Sequence, residues 1–354
     1  MRQYRIAVVP GDGIGKEVVP EGLRLLAAVE KKLGGFHCEP THFPWGSDYY
    51  RAHGVMMPDD GNATLKPYSA ILFGAVGDPE LPDHLTLWGL RLKICQGFDQ
   101  YANVRPTRIF PGVPSPLANR GPGDIDWVIV RENTEGEYSG AGGRVHTGLP
   151  IEVAMETSVF TRAGVARVMR FAFRLAQSRP RKHLTVITKS NAQRHGMVMW
   201  DEIAREVARE FPDVTVRKLL VDAATTVMVQ DPRSLDTIVA TNLHADILSD
   251  LAGALAGSLG IAPTANLNPE REFPSMFEPI HGSAFDITGK GVANPIATFW
   301  TVAMMLEHLG EKPAADAVMA AIEKVCREGR SLPRDIGGSA GTKEVTDATI
   351  AALA

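Results

Sequence analysis

A chain of 354 residues with 44% hydrophobic and 22% charged residues has ordinary globular composition, and its length calls for two domains or one large sheet with an attached lobe. A net charge of −4 removes the case for nucleic acid or an acidic membrane surface as a partner, although a local arginine cluster for a small anion needs no global positive charge. Cys38, Cys95 and Cys326 are scattered without CxxC spacing, which argues against a disulfide framework or a structural zinc site; with no signal-peptide core and no spanning apolar stretch, a cytoplasmic chain is expected.

Short β-branched runs alternate with amphipathic segments along the whole chain, the pattern of an α/β protein. The predicted strands are Arg5–Val9, Ala70–Phe73, Trp127–Arg131, Leu184–Thr188, Val214–Leu220 and Thr237–Thr241. Predicted helices are Lys16–Lys32, Leu87–Gln96, Arg162–Gln177, Met197–Glu210, Ile247–Gly257, Ala297–Leu309 and Ala314–Arg327. The proline- and glycine-containing stretch Pro106–Gly123 reads as a connecting loop, and Glu135–Thr157 as a hairpin arm of the kind that clasps a second subunit.

Several segments carry chemistry. Gly11-Asp12-Gly13-Ile14-Gly15 follows a strand and opens a helix, but a dinucleotide fingerprint would need glycine where Lys16 stands, so a tight strand-to-helix turn is the better reading. Asp246 and Asp250 are one helical turn apart on one face. They are either a solvated helix start or a pair waiting for a cation, for which Mg2+ or Mn2+ is the natural choice. Asp222 closes the run Leu219-Leu220-Val221 as a third candidate ligand, or as a simple helix cap.

Arg91, Arg105 and Arg131 each fall near an element end, where converging guanidiniums would suit a dianion. Lys189, at a strand end, is a candidate general base, and Tyr138 a proton donor if a nearby cation lowers its pKa. The long glycine-rich segment from Glu278 to Pro295 holds His281, Gly282, Ser283, Ala284, Asp286 and Asn294. Its small residues let a planar ligand approach, and the Asp286 carboxylate suits the ribose of NAD while repelling a 2′-phosphate.

Four separated stretches, VVPGDGIGKEVVPEG, RENTEGEYSG, TNLHADILSDL and EPIHGSAFDITGKGVANP, together resemble the β-decarboxylating dehydrogenases, the isocitrate and isopropylmalate dehydrogenase family. The resemblance covers nearly the whole chain. It implies an isopropylmalate dehydrogenase-like, non-Rossmann α/β fold with two domains. Residues 1–102 and 257–354 would form a large discontinuous cofactor domain, and 103–256 a small domain with a dimerisation arm at about 135–157.

It further implies a homodimer with shared sites, NAD as cofactor and Mg2+ or Mn2+ as metal. Asp246 and Asp250 of one subunit and Asp222 of the other would hold the metal. Lys189 of the partner would act as base and Tyr138 as the proton donor to C3. Arg105 and Arg131 would grip the carboxylate that is lost, and Asn191 would lie near the nicotinamide. His281, Gly282, Ser283, Ala284 and Asn294 would line the adenosine site and Asp286 would bind its ribose. The activity implied is oxidative decarboxylation of a small 2-hydroxy diacid through a metal-stabilised enolate.

The segment His84–Arg105, HLTLWGLRLKICQGFDQYANVRP apart from its final proline, sets substrate choice in this family and looks most like the tartrate and D-malate branch. Trp88 stands where isopropylmalate enzymes usually carry an acid. Cys95 occupies the place of the family's first substrate arginine, and Arg91 lies one turn earlier on the same face. Arg91 therefore replaces the missing guanidinium, binds a polar group on C3, or points to solvent. An isopropylmalate or other C3-substituted malate dehydrogenase is the alternative substrate reading. A non-catalytic regulatory relative is disfavoured, because Lys189, Tyr138, Asp222, Asp246 and Asp250 are all present.

Overall fold

The structure, a computed structural model, describes residues 1–353. β1 (Arg2–Gly11) is fully buried from Ile6 to Val9, as a strand covered on both faces must be. It turns into α1 (Gly15–Leu33) through Gly11 and Gly13, both at positive φ. A side chain on Gly11 would strike the carbonyl of Ala75, and one on Gly13 the carbonyl of Ser283. These glycines serve close backbone approach at this turn.

There follow β2 (Phe36–His42), α2 (Ser47–His53), α3 (Gly61–Leu65) and β3 (Ala70–Ala75). A bent helical segment comes next: α4 (Asp83–Thr86), a π-helical turn (Leu87–Arg91) and α5 (Leu92–Gly97). β4 (Ala102–Arg108) and β5 (Asp126–Glu132) lead to a two-stranded arm, β6 (Gly136–Val145) and β7 (Val153–Val159). After it run α6 (Arg162–Ser178), β8 (His183–Thr188), α7 (Gly196–Ala208), β9 (Thr215–Leu220), α8 (Val221–Gln230), β10 (Thr237–Ala240) and α9 (Asn242–Leu255). The chain ends with β11 (Pro263–Leu267), β12 (Ser275–Pro279), α10 (Ile296–His308), α11 (Lys312–Glu328) and α12 (Thr342–Ala352).

Ten strands form one sheet in the order β2-β1-β3-β12-β11-β4-β5-β10-β8-β9. The pairs of the flanking blocks are parallel, whereas β12-β11, β11-β4 and β4-β5 are antiparallel. An antiparallel centre between two parallel blocks is not the doubly wound dinucleotide sheet. Apolar side chains pack on either side of that centre. One group comes from β1–β3, α1 and α10–α12, the other from α6, α7, α9 and strands β5, β8 and β10.

Three predicted boundaries shift for identifiable reasons. β4 runs through Pro106, which was expected to open a loop. β11 pairs with β4 only as far as Val104, so a proline beyond it costs no ladder hydrogen bond on that side. α9 starts at Asn242, five residues before the expected Ile247, because the chain leaves β10 through an extended Thr241 straight into helix. Asp222 does not close a strand: β9 ends at Leu220 and Asp222 lies in the first turn of α8.

Candidate active site

The central strands place a polar face where apolar residues would be expected. Register pairs Asn103 with Arg131 and with Asn266, and Thr264 with Glu278, so these side chains share one side of the sheet with Arg105. α9 and the π-turn segment cover that side, and between them lies a cavity of about 230 Å³, room for a small acid and its counter-ion. Its wall carries three guanidiniums, Arg91, Arg105 and Arg131, three carboxylates, Asp246, Asp250 and Glu278, and the Tyr138 phenol.

Arg131 donates from Nε to Asn242 Oδ1 at 2.9 Å and from Nη1 to Asp246. Arg105 donates to Asn103 Oδ1 at 2.8 Å and to Ser249 Oγ at 2.6 Å, with Asp246 Oδ1 at 3.3 Å. Burial and the neighbouring Arg131 charge bring the Arg105 guanidinium down to about 10. Burial acts against the Asp246 charge, but Arg131, Arg105 and Arg91 outweigh it and hold that carboxyl at about 2. Asp250 goes the other way: burial and Asp246 raise it against the pull of Arg105.

The Tyr138 hydroxyl donates to Asp246 Oδ2 at 3.1 Å, and its ring lies 5.2 Å from the Arg131 guanidinium. Its pKa is raised, by burial first and then by Asp246, over the opposing Arg131 charge. The expectation of a lowered value is corrected: an acid neighbour and a dry setting outweigh the cation, and the phenol keeps its proton.

Arg91 does not point to solvent. It is buried, with Nε donating to Glu278 Oε1 at 2.8 Å and Nη2 to Asn266 Oδ1 at 3.2 Å. The π-turn aims it there. The Leu92 N–H reaches back to Leu87, five residues earlier, so the helix is locally widened just before Arg91 swings towards the sheet. Cys95 is buried but does not line the cavity, and burial pushes its thiol up to about 11 against the Arg91 charge. Trp88 does not line it either. Leu87 takes that place, and the exposed Trp88 indole lies against Gly140 of the arm.

Lys189, just beyond β8, and Asp222, in the first turn of α8, are ion-paired and do not line the cavity, and the pairing keeps the Asp222 carboxyl low. The three aspartates therefore do not meet within one chain, and among the described residues no group of three or more histidine, cysteine or acidic side chains could hold a metal. Asn191 is exposed beyond Lys189.

A second cavity of about 410 Å³ adjoins the first, with His281 and Gly282 as neighbouring wall residues of the two. Ala284 and Asn294 line it, as do Ile14, Ser258, Arg334 and Asp335. Asn294 donates to Asp335 Oδ2 at 2.9 Å, and His281, its pKa lowered by burial, leaves Nε2 buried without a partner. Ser283 accepts from the Ile14 N–H at 2.8 Å, and Asp286 is exposed on the turn beside the cavity; neither lines it.

Sequence reasoning missed Glu278, Asn266, Asn103, Thr264 and Ser249 around the arginines, and Asp335 beside Asn294. The one available signal was polar residues alternating at buried strand positions, as in Asn103-Val104-Arg105 and Thr264-Ala265-Asn266.

A mixed sheet with an antiparallel centre, an arginine- and aspartate-lined cleft on one face and a glycine-rich loop beside it define a class of anion-handling α/β enzyme. The isocitrate/isopropylmalate dehydrogenase family model matches residues 5–349, and the chain belongs to that family of oxidoreductases. A probable tartrate dehydrogenase/decarboxylase of Agrobacterium vitis is 69% identical over 354 residues, covering 100% of this chain and 99% of the relative. The decarboxylating D-malate dehydrogenase of Escherichia coli is 53% identical over 98% of both chains. Among solved structures, an isocitrate dehydrogenase from Methylococcus capsulatus superposes with a TM-score of 0.89 at 33% identity, covering 99% of each chain.

Proposed function

We propose that the protein is an NAD-dependent, metal-requiring homodimer that oxidatively decarboxylates a 2-hydroxy diacid of the D-malate or tartrate type. The observation that carries this is the convergence of Arg91, Arg105 and Arg131 with Asp246, Asp250 and Tyr138 on one small cavity. The names of the relatives agree with it.

Asp246 and Asp250 offer carboxylate oxygens on one helix face, the hard donors that Mg2+ or Mn2+ takes, and Asp222 of a second copy would complete the set. The unpartnered His281 nitrogen and the Asn294 amide suit the adenosine of NAD in the second cavity. When bound, the metal supplies an electrophile for the charge that builds on the substrate's 2-oxygen, and NAD accepts the hydride.

The chain's own groups do the rest. Arg105 and Arg131 hold the carboxylate that departs; each donates from Nε to a buried amide oxygen and lines the cavity. Arg91 presents its remaining donors to the C3 substituent, which favours a hydroxyl or hydrogen there over isopropyl. Lys189 from a second copy takes the proton of the 2-hydroxyl. Tyr138 gives its proton to C3 once the carboxylate has gone, a role its raised pKa suits.

The test is NADH formation with Mn2+ against D-malate, the tartrates, isopropylmalate, isocitrate and homoisocitrate, for the wild type and Arg91→Ala. Turnover of D-malate or a tartrate is expected, with kcat/KM falling by about 100-fold in the variant, the loss set by a charge-assisted contact in a dry site. If isopropylmalate is the preferred acid, or Arg91→Ala leaves kcat/KM for D-malate unchanged, the assignment of this wall fails.

A further inference from the structure

Lys189, the base of the proposed reaction, lies just outside the ladder that could hold it. The last pair of β8 and β9 is Thr188 with Leu220, so Lys189 begins a turn, and residues 191–195 after it are exposed. The Ala192 and Gln193 N–H groups donate to the Lys189 carbonyl, each at 2.9 Å, which closes the turn on itself without fixing it to the body. Among the described residues, one side-chain hydrogen bond ties residues 190–195 to another element: Ser190 Oγ donates to Asp201 Oδ2 at 2.7 Å.

Asp201 is an unexpected occupant of its place. It is 8% exposed on α7, a helix whose other buried residues Met197, Trp200, Ile203 and Ala204 belong to the apolar core. Its Oδ2 also accepts from Lys218 Nζ at 3.0 Å, while its Oδ1 is buried without a partner. A buried carboxylate oxygen left unpaired costs stability, so packing does not call for an acid here. What the carboxylate does is join two segments. Ser190 follows Lys189, and Lys218 lies on β9 four residues before Asp222. Asp201 thus touches both the turn that carries Lys189 and the strand that leads to Asp222.

We propose that Asp201 is a positioning residue for the reaction: through Ser190 it holds the Lys189 turn in the place at which a second copy's cavity receives the ammonium. The inference rests on the shared-site reading above. A lysine stem is flexible, so its tip is placed only as well as its backbone and its ion-pair partner are. Asp222 fixes the tip, and the Ser190–Asp201 bond fixes the root. A hydroxyl-to-carboxylate bond is short and charge-assisted, strong enough to set a turn. Displacing a reacting group by about 1 Å can cost about 100-fold in rate. Asp201 itself lines neither cavity of the site, so its effect falls on kcat through Lys189.

Asp201→Ala and Ser190→Ala should each lower kcat for the accepted diacid by about 30- to 100-fold, with its KM within about twofold of wild type. KM holds because Arg105 and Arg131, which grip the acid, belong to the other chain. The two losses should not add in the double variant, and Ser190→Thr, which keeps the hydroxyl, should restore most of kcat. Chain mixing supplies a readout that a loss of fold stability does not move. Asp201→Ala is dissociated and reassembled with an equal amount of Asp246→Asn. In a mixed dimer the intact Asp246 of one chain meets the Lys189 turn of the other, whose Asp201 is intact. Activity should therefore rise to about a quarter of wild type. Activity that stays at the level of the separate homodimers overturns the proposal, as does a Ser190→Ala variant in which KM rises while kcat holds. Should Asp201→Ala fail to fold, Ser190→Ala carries the same mixing test from the outer end of the tether. Lys189→Ala mixed with Asp246→Asn separates the two levels. If that pair also stays inactive, the shared-site reading fails and this proposal falls with it. If that pair recovers and the Asp201→Ala mixture does not, the positioning role alone is wrong.

Discussion

Tyr138 shows how a single side chain acquires its role from three neighbours. The sequence places it five residues after Asn133 in RENTEGEYSG but does not show whether a cation or an anion stands closer to its hydroxyl. In the fold, Asp246 accepts a hydrogen bond from the phenol and Arg131 lies under the ring, so burial and the carboxylate together raise the pKa above its ordinary value of 10.0. The phenol therefore keeps its proton throughout the neutral range, as the proposed role of proton donor requires. Replacing it by phenylalanine should lower kcat by about 100- to 1,000-fold with little change in KM, the signature of a group used in the transition state rather than in binding. Because the phenol ionises above its ordinary range, the wild-type kcat should show no alkaline decline from this group below about pH 10. A steady-state pH series on both proteins checks this. A fall in KM affinity with unchanged kcat would place Tyr138 in binding alone.

At the scale of elements, the sequence shows the inner strands of the parallel blocks, β1, β3, β5, β8 and β10, clearly because they are apolar runs. The edge strand β2, with the sequence FHCEPTH, has no such run and is absent from the predicted strands. The centre of the sheet was harder to read. β11 alternates buried apolar with buried polar residues and β4 buries Asn103, Arg105 and Thr107 while Val104 is only half-buried, so their pattern imitates a half-exposed strand, and the proline in β4 reinforces that impression. The arm was legible from its glycines and alternation. Its contact with the specificity segment was not, since it depends on the π-turn. Gly140 sits on β6 at φ +73°, where a Cβ would come within 2.8 Å of the Trp88 ring, and Gln96 Nε2 donates to the Tyr138 carbonyl at 3.1 Å. Trp88 and Gln96 thus set the height of the strand that presents Tyr138. Gly140→Ala should reduce kcat/KM by about tenfold, through backbone strain and displacement of that strand, with a stability loss of about 1 kcal/mol. Adding Trp88→Ala relieves the clash but not the strain, so the double variant should recover only part of the activity. Full recovery would show that sterics act alone, and no effect of the glycine variant would remove the arm from the site.

At the scale of the whole molecule, the separation of the Lys189–Asp222 pair from the cavity is the decisive feature. One chain holds Tyr138, Asp246 and Asp250 on one surface, and Lys189 with Asp222 on another. The surface around them is apolar where a lone chain would be polar: Val229 on α8, Leu243 and Ile247 on α9, and Val145, Leu149, Ile151, Val153 and Met155 on the arm are all exposed. In the proposed homodimer, a two-fold arrangement that buries these residues would bring the pair of one copy to the cavity of the other and would build two sites at once. The family resemblance of the sequence motifs implied that division between chains, but no spacing rule in the sequence itself says which side chains meet across an interface. The division has a quantitative consequence. Lys189→Ala and Asp246→Asn should each abolish activity as homodimers. Mixed, dissociated and reassembled at equal amounts, they should regain about a quarter of wild-type activity, since about half the dimers are mixed and each of those has one intact site. Recovery at that level requires that Lys189 serve the Asp246 of its partner. If the reassembled mixture stays inactive while size and mass measurements confirm mixed dimers, both residues act within one chain, and the site must close by moving β8 towards α9 instead.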